Sequence, residues 1–482
     1  MTNEGTDLAR FAGVEGQQRR RAKSSGQGLL RDLSPGRAVP MVPRPATDLG
    51  NAERLADRYA GELCFCQQQR RWRIWTGTHW ATDITGEATR RGKATARAIL
   101  SEARRAADDN ERRALARWAL TSESRRGIEA MMALAQSEAA FAVSPQSLDC
   151  DDWLLATRGG TVELHSACLR PADPADLITH LAPVDYDPSA SCPRWTAFLA
   201  RIVPDPELRR FLQRSVGYSL TGSMREQCLW ILWGGGRNGK STFLTTVQAL
   251  LGDYAMQAPL SMLVDRRRDA TPFDLADLPG RRLVAVSETR EVSCLAEGVI
   301  KHLTGGEPMR ARSLYGDFFE FQPRAKIWLS TNHKPAIKGE DDGIWRRIHL
   351  VPFLERIGDQ EVDRELPRKL RGELPGILAW AVRGCLDWQH DGLQVPKVVV
   401  DATLEYRREE SVFTRFLDDV CLRAARASVA KKVLYGAFTA WCDEQGLAPL
   451  SQVRLSRVLK EQGVREERGT GGRHLWRGLG LR

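Results

Sequence analysis

Eight consecutive residues, Gly234, Gly235, Gly236, Arg237, Asn238, Gly239, Lys240 and Ser241, fit the pattern G-x4-G-K-S without a mismatch. Glycines let successive backbone N–H groups wrap phosphate oxygens. The lysine can reach β and γ oxygens, and the serine hydroxyl can ligate Mg2+. Thr242 follows directly and joins the expected nucleotide set. Three further features stand downstream. Glu288 ends the apolar run Leu283–Val286. A carboxylate there can orient the attacking water or hold Mg2+ through water. Many such sites place an aspartate before this glutamate; here Ser287 stands in that place, so the two roles stay open. Asn332 ends another apolar run and can sense a γ-phosphate or help place the water. Arg346 and Arg347 precede a third. An arginine given to a neighbour's nucleotide stabilises the charge that develops in phosphoryl transfer. Taken singly, these are also a glycine turn, a surface glutamate and a solvated arginine pair; their succession favours a site.

The elements that must hold these groups are legible around them. "CLWILWGGG" is continuously apolar, as a parallel strand covered on both faces should be. "TFLTTVQALLG" continues as a helix, which gives the strand–loop–helix context the glycine motif needs. "RRLVAVSETR", "AKIWLSTNHKP" and "RIHLVPF" read as further strands. "MRARSLYGDFFEFQP" reads as two strands around Leu314–Asp317. Upstream, "AERLADRYAGEL" is helical by spacing, and "WRIWTGTHWATD" is two short strands around a Thr-Gly turn. Its tryptophans are the core of a small sheet or platforms for bases. Charged helices run from Glu87 to about Ala140. "LLATRGGTVEL" is a hairpin, and Pro193–Gly222 is two helices broken by Pro204 and Pro206.

The chain has 482 residues, 42% hydrophobic and 27% charged, with a net charge of +10 and a pI near 9.2. That length implies several domains, and the charge suggests a polyanionic partner. No apolar stretch reaches the ~18 residues of a membrane span. The ten scattered cysteines include no C-x2-C pair; Cys64 and Cys66 are the only tight pair. A reduced, cytoplasmic location without membrane association is expected.

The glycine loop, Ser287-Glu288, "KHLTGGEPMRARSLYGDFFEFQPRAKIWLSTNHKP" and "IWRRIHLVPF" together resemble the superfamily 3 helicases, in the poxvirus-type and phage/plasmid primase-helicase branch. The resemblance is strong over about 225–355 and looser over the "WTGTHW" and "RGGTVEL" segments. It implies an AAA+-like P-loop ATPase core, ATP and Mg2+ as cofactors, and a homo-hexameric ring on DNA. It also implies a hairpin projecting into the ring channel, for which Lys301, Arg310, Arg312 and Tyr315 are the candidate DNA contacts. A solvent-facing ribbon with alternating arginines has the same pattern.

The expected organisation is a disordered basic tail (1–48), a mixed α+β domain (49–222), the ATPase domain (223–355), a helical lid or connector (356–404) and a C-terminal domain (405–482). In the last, two helices and a Gly-tipped hairpin describe a winged helix, with net charge +7 over 421–482. Arg454, Arg457 and Lys460 share one helix face there and are the candidate duplex contacts. The first 220 residues offer no carboxylate pair on a strand and no zinc ribbon. Asp151-Asp152 is loop-like, so primase chemistry is expected elsewhere, in a separate primase or origin-binding partner. The leading reading is a DNA helicase for phage, prophage or plasmid replication. A nucleotide-regulated DNA-binding switch is the alternative. A small-molecule kinase would have no use for paired arginines, a channel hairpin and a basic C-terminal domain.

Overall fold

The computed structural model describes residues 43–264, 273–287, 294–312, 317–337, 342–410, 412–447, 449–461, 464–468 and 474–482. The chain divides into two compact units, one ending at Tyr186 and one beginning at Asp187. The helices Pro193–Ile202 and Pro206–Ser219, placed before the ATPase domain by sequence, therefore belong to the second unit.

In the first unit α1 (Asp48–Tyr59) starts where the Thr47 side chain accepts from the backbone N–H of Gly50. It is followed by β1 (Leu63–Cys66), β2 (Arg71–Trp75) and β3 (Trp80–Thr82). Three helices come next, α2 (Glu87–Ala103), α3 (Asp109–Ser122) and α4 (Arg125–Ala135), and then β4 (Ala142–Val143). The sheet order is β3–β2–β1–β4, with β4 parallel to β1. Leu55, Ala96, Met131 and Phe141 are fully buried in the core. Trp72 stands against Phe65 and Phe141, with ring centres 5.0 and 5.5 Å away. Trp80 is buried and its indole donates to the Pro174 carbonyl. These tryptophans are spent on packing rather than offered to bases. A separate antiparallel sheet holds β5 (Leu154–Thr157), β6 (Gly160–Glu163) and β7 (Cys168–Arg170). Asp151 closes a turn on the N–H of Trp153 before it.

The second unit opens with α5 (Pro193–Ile202) and α6 (Pro206–Ser219), then β8 (Leu229–Trp233), α7 (Lys240–Leu251), β9 (Ala255–Pro259), β10 (Leu283–Ser287) and α8 (Glu297–Gly305). The hairpin β11 (Met309–Arg312) and β12 (Phe318–Phe321) leads to β13 (Lys326–Thr331), α9 (Asp342–Trp345) and β14 (Ile348–Pro352). Five strands form one parallel sheet, ordered β14–β8–β13–β10–β9. Leu229 and Ile231 enter the core on one face. On the other, Trp230 and Trp328 stack at 4.8 Å, and their indoles donate to Ser215 and Ser219, one turn apart on α6. That two-sided burial is why the strands read as unbroken apolar runs. β9, with the sequence AMQAP, lies at the sheet edge and carries little strand signal.

Beyond β14 come α10 (Leu366–Arg371), α11 (Leu374–Asp391) and α12 (Lys397–Glu410). α11 crosses α6 so closely that a Cβ on Gly217 would lie 2.1 Å from the Cys385 nitrogen, and one on Gly384 2.2 Å from the Gln213 oxygen. The chain ends with α13 (Val412–Val420), β15 (Cys421–Ala430), α14 (Lys431–Glu444), α15 (Gln452–Glu461), β16 (Arg465–Arg468) and β17 (His474–Leu481). The last three strands form an antiparallel sheet, β15–β17–β16, over a core that includes Phe416, Phe438, Leu459 and Trp476. β15 is rich in alanine and arginine and has little strand propensity of its own; pairing with β17 holds it, across a register shift between Arg423 and Ser428. No helix among the described residues is long and apolar enough to cross a membrane.

Candidate functional site

Ligands of open α/β sheets sit beyond the carboxyl ends of the strands, and the candidate residues gather there. β8 ends at Trp233, level with Thr331 of β13. The loop Gly234–Gly239 then turns into α7. Gly239 caps that helix at φ 81° without a side-chain hydrogen bond, and its Cβ would meet the Ile202 side chain at 2.7 Å. A Cβ on Gly234 would lie 2.1 Å from the Phe353 carbonyl oxygen. Close approach at Gly234 and backbone conformation at Gly239 thus demand glycine. The first amides of α7 have no intrahelical acceptors and provide an anion-binding end.

Lys240 is the centre of the arrangement. Its ammonium donates to the Gly234 carbonyl at 2.7 Å, to Asn238 Oδ1 at 2.9 Å and to Asn332 Oδ1 at 3.2 Å. The side chain is buried, 4% exposed, and all three acceptors are neutral. Burial lowers its pKa to about 8. Among the described residues, then, only neutral oxygens accept from this buried ammonium, an arrangement that can take an anion. Asn238 holds this geometry from below, since its Nδ2 donates to the Phe353 carbonyl at 3.0 Å.

A cavity of about 640 Å3 opens over the loop, and its lining includes Lys240, Ser241, Thr242, Asn332 and Leu366. Ser241 is exposed at its floor. Gly235 and Gly236 complete the loop, Gly236 at φ 88°. Arg237, at φ 52°, turns its guanidinium to Asp359, and the Ile357 N–H donates to its carbonyl at 2.8 Å. Segment 357–367, which lines the cavity, is thereby tied to the loop, and no motif marks it.

The other candidates are placed as follows. Ser287 ends β10 level with Ser330 of β13; Glu288 lies outside the described residues. Arg346 is exposed. Arg347 is buried, its Nε donating to Thr304 Oγ1 at 3.1 Å and its Nη1 to the Gly343 carbonyl at 2.5 Å. The two arginines, equivalent by sequence, thus differ in availability. On the hairpin, Arg310 and Arg312 are exposed and flank the Phe318 ring at 5.6 and 5.3 Å, while Ala311 faces the core. Among the described residues of this ribbon Phe318 is the exposed aromatic, 61% accessible; Tyr315 lies outside the described residues. Lys301 lies on α8, within 3.8 Å of Glu297. Arg454 and Arg457 lie on α15, and their side chains are outside the described set. Lys460 pairs with Glu466 at 2.9 Å. Lys431, foremost, and Lys460 and His474 with it hold the Glu466 carboxylate down to about 2.

The loop after Asn332 is anchored to α12. Lys334 sits over the Trp233 ring and pairs with Glu409 at 2.6 Å, and Glu410 accepts from the Ile337 N–H at 2.9 Å. α12 leads directly into α13 and the C-terminal sheet.

The family described as "D5 N terminal like" matches residues 52–204, and a family of unknown function, DUF5906, matches residues 232–347. A protein named "Putative helicase" from Acanthamoeba polyphaga mimivirus is 27% identical over 321 residues, covering 61% of this chain and 33% of that protein. Another of that name from Frog virus 3 is 27% identical over 266 residues, covering 51% of this chain and 27% of its own length. The chain therefore spans about a third of the length of these relatives. Among solved structures, the apo C-terminal region of NrS-1 aligns at a TM-score of 0.48 and 10% identity, over 87% of this chain and 96% of that one.

Proposed function

We propose, for a chain that belongs to the phage and viral primase-helicase family, an Mg2+-ATP-dependent DNA helicase that works as a ring, its hydrolysis completed between subunits. The observation that carries the reading is Lys240, a buried ammonium lining the cavity over the loop and held by neutral oxygens of the loop and of Asn332. The parallel sheet, with β13 placing Asn332 beside the loop strand β8, supports an AAA+-like core.

On this reading the α7 amides and Lys240 hold the β- and γ-phosphates. Ser241 is the Mg2+ ligand that the exposed loop end offers, and the metal would neutralise phosphate charge when bound. Asn332 positions the γ-phosphate or the water, and Glu288 orients that water or supports the metal. Arg346, exposed, is the residue free to reach a neighbour's nucleotide, while Arg347 holds the loop that presents it. Arg310, Arg312 and Phe318 form the basic and aromatic ribbon for DNA in the channel. The helix–strand–helix–helix–hairpin order of 412–481 supports a winged helix for duplex DNA. Within this scheme 223–355 is the motor, 356–404 a connector and 405–482 the duplex-binding end. No primase step is assigned to these residues; a ring of six and a separate primase or origin-binding partner complete the scheme. The test is steady-state ATP hydrolysis by purified wild-type and Lys240→Ala protein. Loss of turnover in the variant is expected; wild-type turnover in it would overturn the assignment.

A further inference from the structure

The first unit carries a charged surface that nucleotide chemistry does not use. α2 and α3 are joined by the short turn 104–108 and pack along each other. Lys93 and Arg97 recur at three- to four-residue spacing with Leu100 on the exposed face of α2, and Arg104, the C-cap with helical φ and ψ, continues that row. Arg113 and Arg117, with Leu120, do the same on α3. Residues 87–122 hold nine Lys/Arg and five Asp/Glu, and every one of the five acids is engaged. Glu87 pairs with Arg90 and Arg91. Glu102 turns inward to the buried Arg54 at 2.8 Å. Asp108 caps α3 through the N–H groups of Asn110 and Glu111. Asp109 pairs with Arg112, and Glu111 accepts from the Ala107 N–H. Among the described residues, no carboxylate answers Lys93, Arg97, Arg104, Arg113 or Arg117. Like charges three and four apart on a helix repel, so an ordinary solvated face would intersperse acids.

We infer that this two-helix face binds the phosphodiester backbone of nucleic acid, as a contact made of residues outside the second unit. Four of the five cations are arginines, whose planar fork matches paired phosphate oxygens. From Lys93 to Arg104 the helix rises ~16 Å, which spans about five nucleotides of one strand at ~3.4 Å each. Leu100 and Leu120, 47% and 75% exposed, stand among the cations and offer apolar contact to sugars. The choice of nucleic acid as occupant rests on the proposed replicative role. The binding itself needs no ATP, so its failure and the failure of the hydrolysis assignment are distinguishable.

The test uses the full chain without nucleotide, and labelled oligonucleotides in single-stranded and duplex form. One variant carries Arg97→Ala, Arg104→Ala and Arg117→Ala. A control carries Arg125→Ala, Arg368→Ala and Lys397→Ala, exposed cations that pair with Glu129, Glu365 and Asp401. Both lose the same net charge, and as surface changes both should keep the wild-type thermal midpoint. Each phosphate contact adds about 0.7 to 0.9 to the slope of log affinity against log salt. The face variant should therefore lose about 2 to 3 of that slope, and the control less than about 1. The form, single-stranded or duplex, that loses more identifies the source of the backbone. A dicarbonyl reagent on wild-type protein should modify Arg97, Arg104 and Arg117 when free and be blocked by bound oligonucleotide. Equal losses in the two variants would mean diffuse attraction to net charge. That result, an unchanged face variant, or absent protection would overturn the inference.

Discussion

Arg346 and Arg347 are adjacent, and the structure predicts opposite fates for their alanine variants. Arg347 is 8% exposed and donates to Thr304 Oγ1 at 3.1 Å and to the Gly343 carbonyl at 2.5 Å. A hydrogen bond from a charged donor contributes about 1.5–3 kcal/mol, so losing these two in Arg347→Ala should cost about 3–6 kcal/mol. For a unit of this size each kcal/mol moves the thermal midpoint by about 2–4 °C, which predicts a fall of roughly 6–24 °C. Arg346 is exposed, and its replacement should stay within about 0.5 kcal/mol of wild type. If Arg346 serves a neighbour's nucleotide, its loss should instead slow hydrolysis about a thousandfold or more. Mixing Arg346→Ala with Lys240→Ala protein should restore some turnover, because each brings the half-site the other lacks. Differential scanning calorimetry and ATP hydrolysis on the same preparations separate stability from chemistry. The reasoning fails if Arg347→Ala melts like wild type and does not hydrolyse ATP while Arg346→Ala hydrolyses normally.

The depressed pKa of Lys240 makes nucleotide binding pH-dependent. Between about 8 and the ordinary lysine value of 10.5 the folded, ligand-free lysine is neutral while the unfolded one is charged. The apo protein therefore gains stability across that window as pH rises. ATP binding, which needs the ammonium, should weaken by up to about tenfold per pH unit above 8 and take up a proton, readable by calorimetry in buffers of different ionisation enthalpy. Glu288→Gln should bind ATP and hydrolyse it slowly in single-turnover assays; wild-type rates would send the search to another carboxylate. Gly239→Ala, at φ 81° and 2.7 Å from Ile202, should lower the thermal midpoint and weaken ATP binding; a variant indistinguishable from wild type in both would contradict the loop geometry. Arg454→Ala with Arg457→Ala should weaken duplex binding and flatten its salt dependence by about 2, as two lost phosphate contacts require; an unchanged slope would argue for a packing role.

The parallel strands were legible because burial on both faces leaves uninterrupted apolar runs, as in "CLWIL" and "KIWLS". The glycine loop was legible because close approach and positive φ leave few other residues possible. Asn332 was legible as a polar residue at a strand end, and its place beside Lys240 follows from β13 pairing with β8. β9 and β15 were not, since a short edge strand and an Ala/Arg-rich one are recruited by partners rather than by their own pattern. The difference between Arg346 and Arg347 was equally hidden. It depends on Thr304, a residue far along the chain that only the fold brings near. The Arg237–Asp359 tie was hidden too, since it joins the loop to a segment without any motif.

Strand separation on a forked DNA duplex, followed together with ATP hydrolysis, tests the central claim most directly. Wild-type chain with Mg2+ and ATP is predicted to release the displaced strand. Lys240→Ala should release none, and wild-type chain with a non-hydrolysable nucleotide should release none. Wild-type protein that hydrolyses ATP and binds the fork, yet leaves the duplex intact, would contradict the helicase reading and favour a nucleotide-regulated DNA-binding switch.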